Sequence, residues 1–360
     1  MNTPPYAAFL YVGNTSNICA LTQFFCAVTP ISNWFLFANH NEVPQFKSVQ
    51  DVLVHQVKFP YIINPETLVN CFRENNLVDD LNPIPIGELF AKVLSMLQSK
   101  TMKSIEVHTR YTKNITKYCN IVNKLKLAIE QKQPRSNITF LQNEYITMRN
   151  EFRSEILHTS ALCEWNKNLR SGYYPLMNSI YLQTSVTYKC ENCSFQNHIF
   201  ETAPHLTIDN DLNSKELSLE DILKNYSKIN RGDKAWCCTM CQHTEYTYQN
   251  LIWKLPEILI INVNSSTPFK IPKANMIVTD ITHPLSTKIP WQYDLVADVI
   301  QNPITQEYSC VSKRKNKWYK YQNSEALELT EQLVTESTNH KLLAYVLNHK
   351  QSNIESFFVA

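Results

Sequence analysis

A mixed α+β fold is predicted by three observations: helical apolar spacing through the first half, strand-like runs after about residue 180, and no internal repeat or low-complexity linker to divide the chain. In the first half Phe90, Val93, Leu94 and Leu97 recur at helical spacing, as do Ile115, Tyr118, Val122 and Leu125. Leu141, Tyr145, Met148, Phe152 and Ile156 continue that spacing, which predicts one helix of about four turns with a single apolar stripe. Pro83-Ile84-Pro85 and Gln133-Pro134-Arg135-Ser136 are breaks between helices. Ile18 to Phe37 is the most apolar stretch, but Gln23, Pro30 and Asn33 interrupt it, so a buried helix and a turn are expected there and no membrane span.

Strands are predicted over Tyr181 to Tyr188, Glu245 to Trp253, Glu257 to Val263, Tyr293 to Ile300 and Lys317 to Tyr321. Helices followed by strands argue against an alternating α/β arrangement, and one domain over residues 1–360 with an inserted subdomain is the economical organisation.

Thirty-four Lys and Arg against 32 Asp and Glu leave a formal charge of +2, so neither nucleic acid nor a membrane surface is an expected partner. Lys313-Arg314-Lys315-Asn316-Lys317 is the only dense basic run, and it reads as a solvated hairpin turn. Four glycines in 360 residues make phosphate cradles a poor expectation. Eleven cysteines, an odd count in a long chain without an opening charged-then-apolar signal, predict reduced thiols and an intracellular setting, cytoplasmic or nuclear.

Four of those cysteines form two knuckles, Cys190-Glu191-Asn192-Cys193 and Cys238-Thr239-Met240-Cys241. Paired thiolates at this spacing converge on one centre, and four soft ligands at about 2.3 Å close a structural zinc site. One structural Zn2+ is therefore predicted on Cys190, Cys193, Cys238 and Cys241, with Cys237 an alternative to Cys238 through a wider loop. The long spacing between the knuckles predicts a hairpin or arm built from the intervening segment. His198 and His243 lie nearby in sequence and are expected on the surface.

Gly13-Asn14-Thr15-Ser16-Asn17-Ile18-Cys19-Ala20-Leu21-Thr22-Gln23 resembles the cysteine box of ubiquitin-specific proteases, with Ser16 in the nucleophile's place. The paired knuckles resemble that family's fingers, and Lys254 to Ile261 resembles the strand that follows them. Tyr293 to Ala297 is similar to the strand leading to the histidine box, Glu307-Tyr308 stands where that box has His-Tyr, and Lys317 to Asn323 resembles the last catalytic segment. Leu343 to Leu347 matches the closing strand, so the likeness runs in order from residue 13 to about 349. The resemblance implies a papain-like fold with a helical thumb over about residues 13–165, zinc-bearing β fingers over about 185–250 and a β palm over about 251–349.

Such a protease needs a thiolate at a helix N-terminus and an imidazole to deprotonate it. Here Ser16, Glu307 and Asn323 occupy the three positions, so the resemblance implies a catalytically degenerate member, a protein-binding pseudoenzyme. Ser16 then reads as a helix N-cap, Glu307 as a strand residue and Cys19 as a small core residue. A Ser16–Glu307 dyad or a relocated Cys19 nucleophile would instead make the chain a diverged deubiquitinase. Ala235 to Cys241 and Leu255 to Ser266 are similar to the ubiquitin-hydrolase-like domain of the deadenylase subunit of the poly(A)-nuclease complex. That likeness implies a scaffold in messenger RNA decay, with deadenylase components as partners beside ubiquitin or a ubiquitin-like protein.

Overall fold

The apolar stretch from Ile18 folds as two helices, α1 (Ser16–Ala27) and α2 (Thr29–Phe37), bent by 96° where the sequence suggested one helix and a turn. Pro30 falls in the first turn of α2, where a missing N–H removes no helical hydrogen bond. Among the described residues no single helix is long and apolar enough to cross a membrane. The computed structural model describes residues 8–10, 13, 15–37, 47, 50–51, 62–78, 84–193, 195–209, 217–232, 236–264, 268–271, 274–278, 281–286, 292–314 and 316–348. Asn14, Pro83, Ala235, Ser265, Ser266 and Lys315 lie outside them.

Ten of the twelve residues of α1 are buried, so this helix is the axis of the larger core. Phe24 and Phe25 meet Phe90 at ring-centroid distances of 6.2 and 6.1 Å, and Phe25 meets Phe35 at 5.5 Å. Phe90 comes from α4 (Ile86–Thr101), which follows α3 (Glu66–Glu74). Helices α5 (Lys113–Glu130), α6 (Arg135–Glu151), α7 (Arg153–Gly172) and α8 (Met177–Ile180) complete the helical half.

The single helix expected through Phe152 is broken there, with Phe152 at φ −109°, ψ 27°. Packing explains the break. Leu141 of α6 joins Leu125 and Ala128 of α5 in one small core, whereas Leu157 and Ala161 of α7 pack on Phe200 in another. One straight rod could not serve both. In α5 the buried stripe is Ile115, Ile121, Leu125 and Ala128, with Tyr118 and Val122 half-buried.

Strands β1 (Leu182–Cys190), β2 (Gln196–Ala203), β5 (Asn230–Arg231) and β6 (Tyr246–Lys254) form a four-stranded sheet in the order β2-β1-β6-β5. The segment between the knuckles does not remain in that arm. β3 (Leu206–Asp209) leaves it to pair in parallel with β7 (Ile258–Asn264) at the edge of an eight-stranded sheet. β4 (Leu217–Ser218) and α9 (Leu219–Tyr226) then return, the helix started by a Ser218–Asp221 capping box, and β4 pairs with β8 (Phe269–Lys270).

The large sheet runs β13-β12-β11-β10-β14-β7-β3, from β10 (Gln292–Gln301), β11 (Tyr308–Arg314), β12 (Lys317–Gln322), β13 (Glu325–Leu329) and β14 (His340–Leu347), with β9 (Asn275–Ile277) also on β10. A short α10 (Glu331–Thr335) joins β13 to β14. β7 is buried along nearly its whole length, as its unbroken apolar run requires of a central strand.

Arg314 fixes α1 on this sheet. Its guanidinium is buried and donates to the carbonyls of Cys26 at 2.5 Å, an acceptor that the last turn of a helix leaves open, and of Gln23 at 3.2 Å. A second joint is close at Gly87: a Cβ there would stand 2.0 Å from Asn262 Oδ1, so α4 comes this near β7 with the Asn262 side chain in place because Gly87 has no side chain.

Candidate functional site

The first turn of α1 meets the start of β11. Ser16 is the first residue of the helix and not its cap: Thr15 occupies the cap position and its side chain makes no capping bond. Ser16 Oγ instead accepts the Tyr308 amide at 3.2 Å, a contact between residues 292 positions apart. Ser16, Cys19, Gln23, Tyr308, Tyr321 and Asn323 line a crevice of about 20 Å³, room for one water molecule.

Two of the three positions that the resemblance singles out, Ser16 and Asn323, therefore share this crevice. Asn323 sits in the β12–β13 turn at φ +51°, a left-handed conformation that asparagine tolerates. Glu307 lies in the loop before β11, not in a strand. Its carboxylate accepts Thr305 Oγ1 at 3.4 Å. The loop is shaped by its own bonds: Asn302 Oδ1 accepts the amides of Ile304 and Thr305 at 2.9 and 3.2 Å, and Gln306 turns at φ +60°.

Among the described residues no histidine lines the crevice. Cys19 is half-buried, and desolvation pushes its thiol up to about 12 against a hydrogen bond with Thr15. At neutral pH its thiolate fraction is then roughly 10⁻⁵. Cys26 beneath it is raised to about 12 by burial as well.

The second constellation stands at the end of the four-stranded sheet. The sulfurs of Cys190, Cys193, Cys238 and Cys241 all lie within 4.8 Å of one another. Cys190 and Cys241 are 3.6 Å apart, as are Cys193 and Cys238. A disulfide needs about 2.05 Å. A tetrahedron of sulfurs about 2.3 Å from zinc has edges of about 3.8 Å, so the set fits a structural Zn2+. Without a metal the thiols diverge: the His243 amide and then Asn192 lower Cys241 to about 6, whereas burial pushes Cys193 up to about 12 and raises Cys238, so the sulfur geometry carries the assignment.

The alternative left open by sequence resolves to Cys238, which is buried in the cluster. Cys237 is exposed and its Sγ lies 3.5 Å from Gln242 Oε1. His243 turns to Glu245 at 3.3 Å. His198, expected at the surface, is half-buried beside Thr187 and His283, and desolvation lowers it to about 3.

Sequence reasoning missed the Tyr308 amide and Arg314. An amide leaves no signature in sequence, and Arg314 was masked by the basic run around it. That run is no open basic patch among its described residues: Arg314 is buried, Lys317 pairs with Glu328 at 2.8 Å, and Lys313 lies over Trp318.

A helix N-terminus set against an antiparallel sheet, with a four-cysteine finger beyond it, defines a papain-like hydrolase fold of the ubiquitin-specific kind. The sequence profile described as ubiquitin carboxyl-terminal hydrolase matches residues 9–348, and the chain belongs to that family. Among solved structures it is similar to a chain of the yeast SAGA DUB module with a mutant Sgf73, at TM-score 0.58 and 11% identity, covering 96% of this chain and 69% of that one. It is also similar to a chain of the SAGA DUB module of Ubp8, Sgf11, Sus1 and Sgf73 bound to monoubiquitin, at TM-score 0.55 and 12% identity, covering 96% and 70%. No curated protein matches it.

Proposed function

We propose that this chain is a non-catalytic member of its family, a zinc-stabilised interaction module that holds ubiquitin or a ubiquitin-like protein without cutting it. One observation carries the reading: Ser16 Oγ already accepts the Tyr308 amide inside a crevice that no described histidine lines. A serine hydroxyl attacks an amide only when a neighbouring base takes its proton, and a carboxylate such as Glu307 is a weak base at neutral pH. Glu307 is moreover engaged with Thr305. The four-sulfur geometry supports zinc as the metal, held by Cys190, Cys193, Cys238 and Cys241. Reduced thiols at that site suit an intracellular protein, cytoplasmic or nuclear.

A similar fold seen with monoubiquitin favours a ubiquitin-like partner. Deadenylase components are the second partner class, favoured by the sequence likeness of Ala235 to Cys241 and Leu255 to Ser266 to the poly(A)-nuclease subunit.

The test pairs a ubiquitin probe bearing a C-terminal electrophile with a binding titration of ubiquitin. The expected result is saturable binding and no covalent adduct. Labelling at any residue overturns the non-catalytic reading, and hydrolysis of a fluorogenic ubiquitin conjugate that is lost in Ser16→Ala establishes the diverged isopeptidase.

A further inference from the structure

Away from the crevice and the cysteine cluster, the first two turns of α5, Tyr111 and the outward face of α7 enclose a groove of about 730 Å³. That volume falls in the range of about 300–1,000 Å³ usual for small-molecule sites. Residues from Ile156 to Ser171 of α7 border it, so it follows that helix for about 22 Å.

Its two ends differ in chemistry. Ile115, Tyr118 and Ile156 supply an apolar floor, with Ile115 and Ile156 buried. The other end holds Glu164, Lys167 and Arg170, one carboxylate against two cations. Glu164 is matched by Lys167 at 3.4 Å. Arg170 spends its Nε on the Asn166 carbonyl at 3.2 Å, and the rest of its guanidinium stays exposed at the rim. The groove walls add no negative charge: the Tyr111 phenol, 3.5 Å from Cys163 Sγ, is raised by that contact, and Cys119 is raised by burial. Glu155, the next carboxylate along α7, is held outside the groove by Thr112 Oγ1 and Asn114 Nδ2.

We propose that this groove binds an amphiphilic carboxylate, its apolar body on Ile115, Tyr118 and Ile156 and its head on Arg170. Charge complementarity selects the occupant. An apolar helix of a partner would leave the charged head of Arg170 facing carbon, whereas a chain with an anionic head matches both ends.

Dansyl-undecanoic acid, titrated against the full chain and followed by fluorescence, tests the assignment. One saturable site is expected, weakened about tenfold by Arg170→Glu and by Thr159→Trp, which fills the groove, and unchanged by Ser16→Ala. Arg170 is exposed, so its variant remains informative if Thr159→Trp fails to fold. The methyl ester of the same probe should bind wild type and Arg170→Glu alike, and more weakly than the acid binds wild type. Absence of saturation, acid binding indifferent to Arg170→Glu, or ester binding as tight as the acid overturns the proposal. So does self-association of the protein that Thr159→Trp abolishes, since the groove would then belong to a second copy.

Discussion

Ser16 Oγ accepts the Tyr308 amide and keeps its own O–H to donate, and the non-catalytic reading proposed above can be tested by supplying a thiol and an imidazole at two positions. Ser16→Cys alone is expected to stay inert toward a ubiquitin electrophile, because among the described residues no imidazole stands at the crevice to form the thiolate. Ser16→Cys with Glu307→His supplies both groups, and a positioned general base contributes about 10²–10⁴-fold. The double variant should label at least about a hundredfold faster than the single one, read by mass spectrometry over time. Equal rates would mean that the loop from Gln301 to Glu307 holds position 307 out of reach.

His340 carries a pH signature set by two named partners. Burial works against its protonation, but the Asp298 carboxylate at 2.7 Å from Nδ1 and the Ser337 carbonyl at 2.8 Å from Nε2 prevail and raise it above its ordinary 6.5. Both ring nitrogens face acceptors, so the ring is an imidazolium inside the sheet, against Phe269. A raised folded-state pKa gives stability that is complete below about pH 6.5 and is lost as pH climbs through the folded value. The urea midpoint should therefore fall as pH climbs above about 6.5 and through the folded value, and His340→Gln should flatten that slope. A slope unchanged by the substitution would assign the dependence to other groups.

Among the elements, the contact that sets the crevice is the seat of α1 on β11, and Arg314 is its clamp. A buried cation donating to two carbonyls contributes about 1.5–3 kcal/mol per bond, so Arg314→Met should cost at least about 2 kcal/mol in urea unfolding. Lys317→Met, three residues on in the same basic run, breaks only an exposed pair with Glu328 and should leave the urea midpoint nearly unchanged. Equal losses would refute the clamp. The same residue shows where sequence is legible and where it is not. Strands such as Ile258–Asn264 and Gln292–Gln301 were visible to within a residue or two, because an apolar run bounded by turn residues leaves few other choices. The paired cysteines were visible because metal spacing is local. The break at Phe152, the departure of β3 from the finger sheet and the burial of Arg314 were not, because each is decided by a partner distant in sequence: Phe200, Ile261 and the α1 carbonyls respectively.

At the scale of the whole molecule, the cysteine finger is seated on the helical half. Phe195, two residues past Cys193, gives its carbonyl to the Cys190 amide at 2.9 Å and its ring to Arg149 of α6, whose guanidinium carbon lies 4.3 Å from the ring centre. Tyr145 leans on the same ring at 6.3 Å and stacks on Tyr118 of α5 at 5.6 Å. Arg153 adds a bond to Gln196 at 2.8 Å. A metal that fixes the knuckle therefore also fixes the cover of α6, and because metal binding to such a site is coupled to folding, its removal should be felt beyond the ligands. Purified protein should hold about one zinc per chain, retained in Cys237→Ser and lost in Cys238→Ser. Chelation under reducing conditions should raise amide hydrogen exchange across both knuckles and also through Tyr145 to Glu151 of α6, while α1 and β11, held by Ser16 and Arg314, stay protected. Phe195→Ala should deprotect α6 with the zinc still bound, because it removes the seat and leaves the ligands. Unaltered exchange in α6 after chelation would show that finger and helices are independent, each held by its own core.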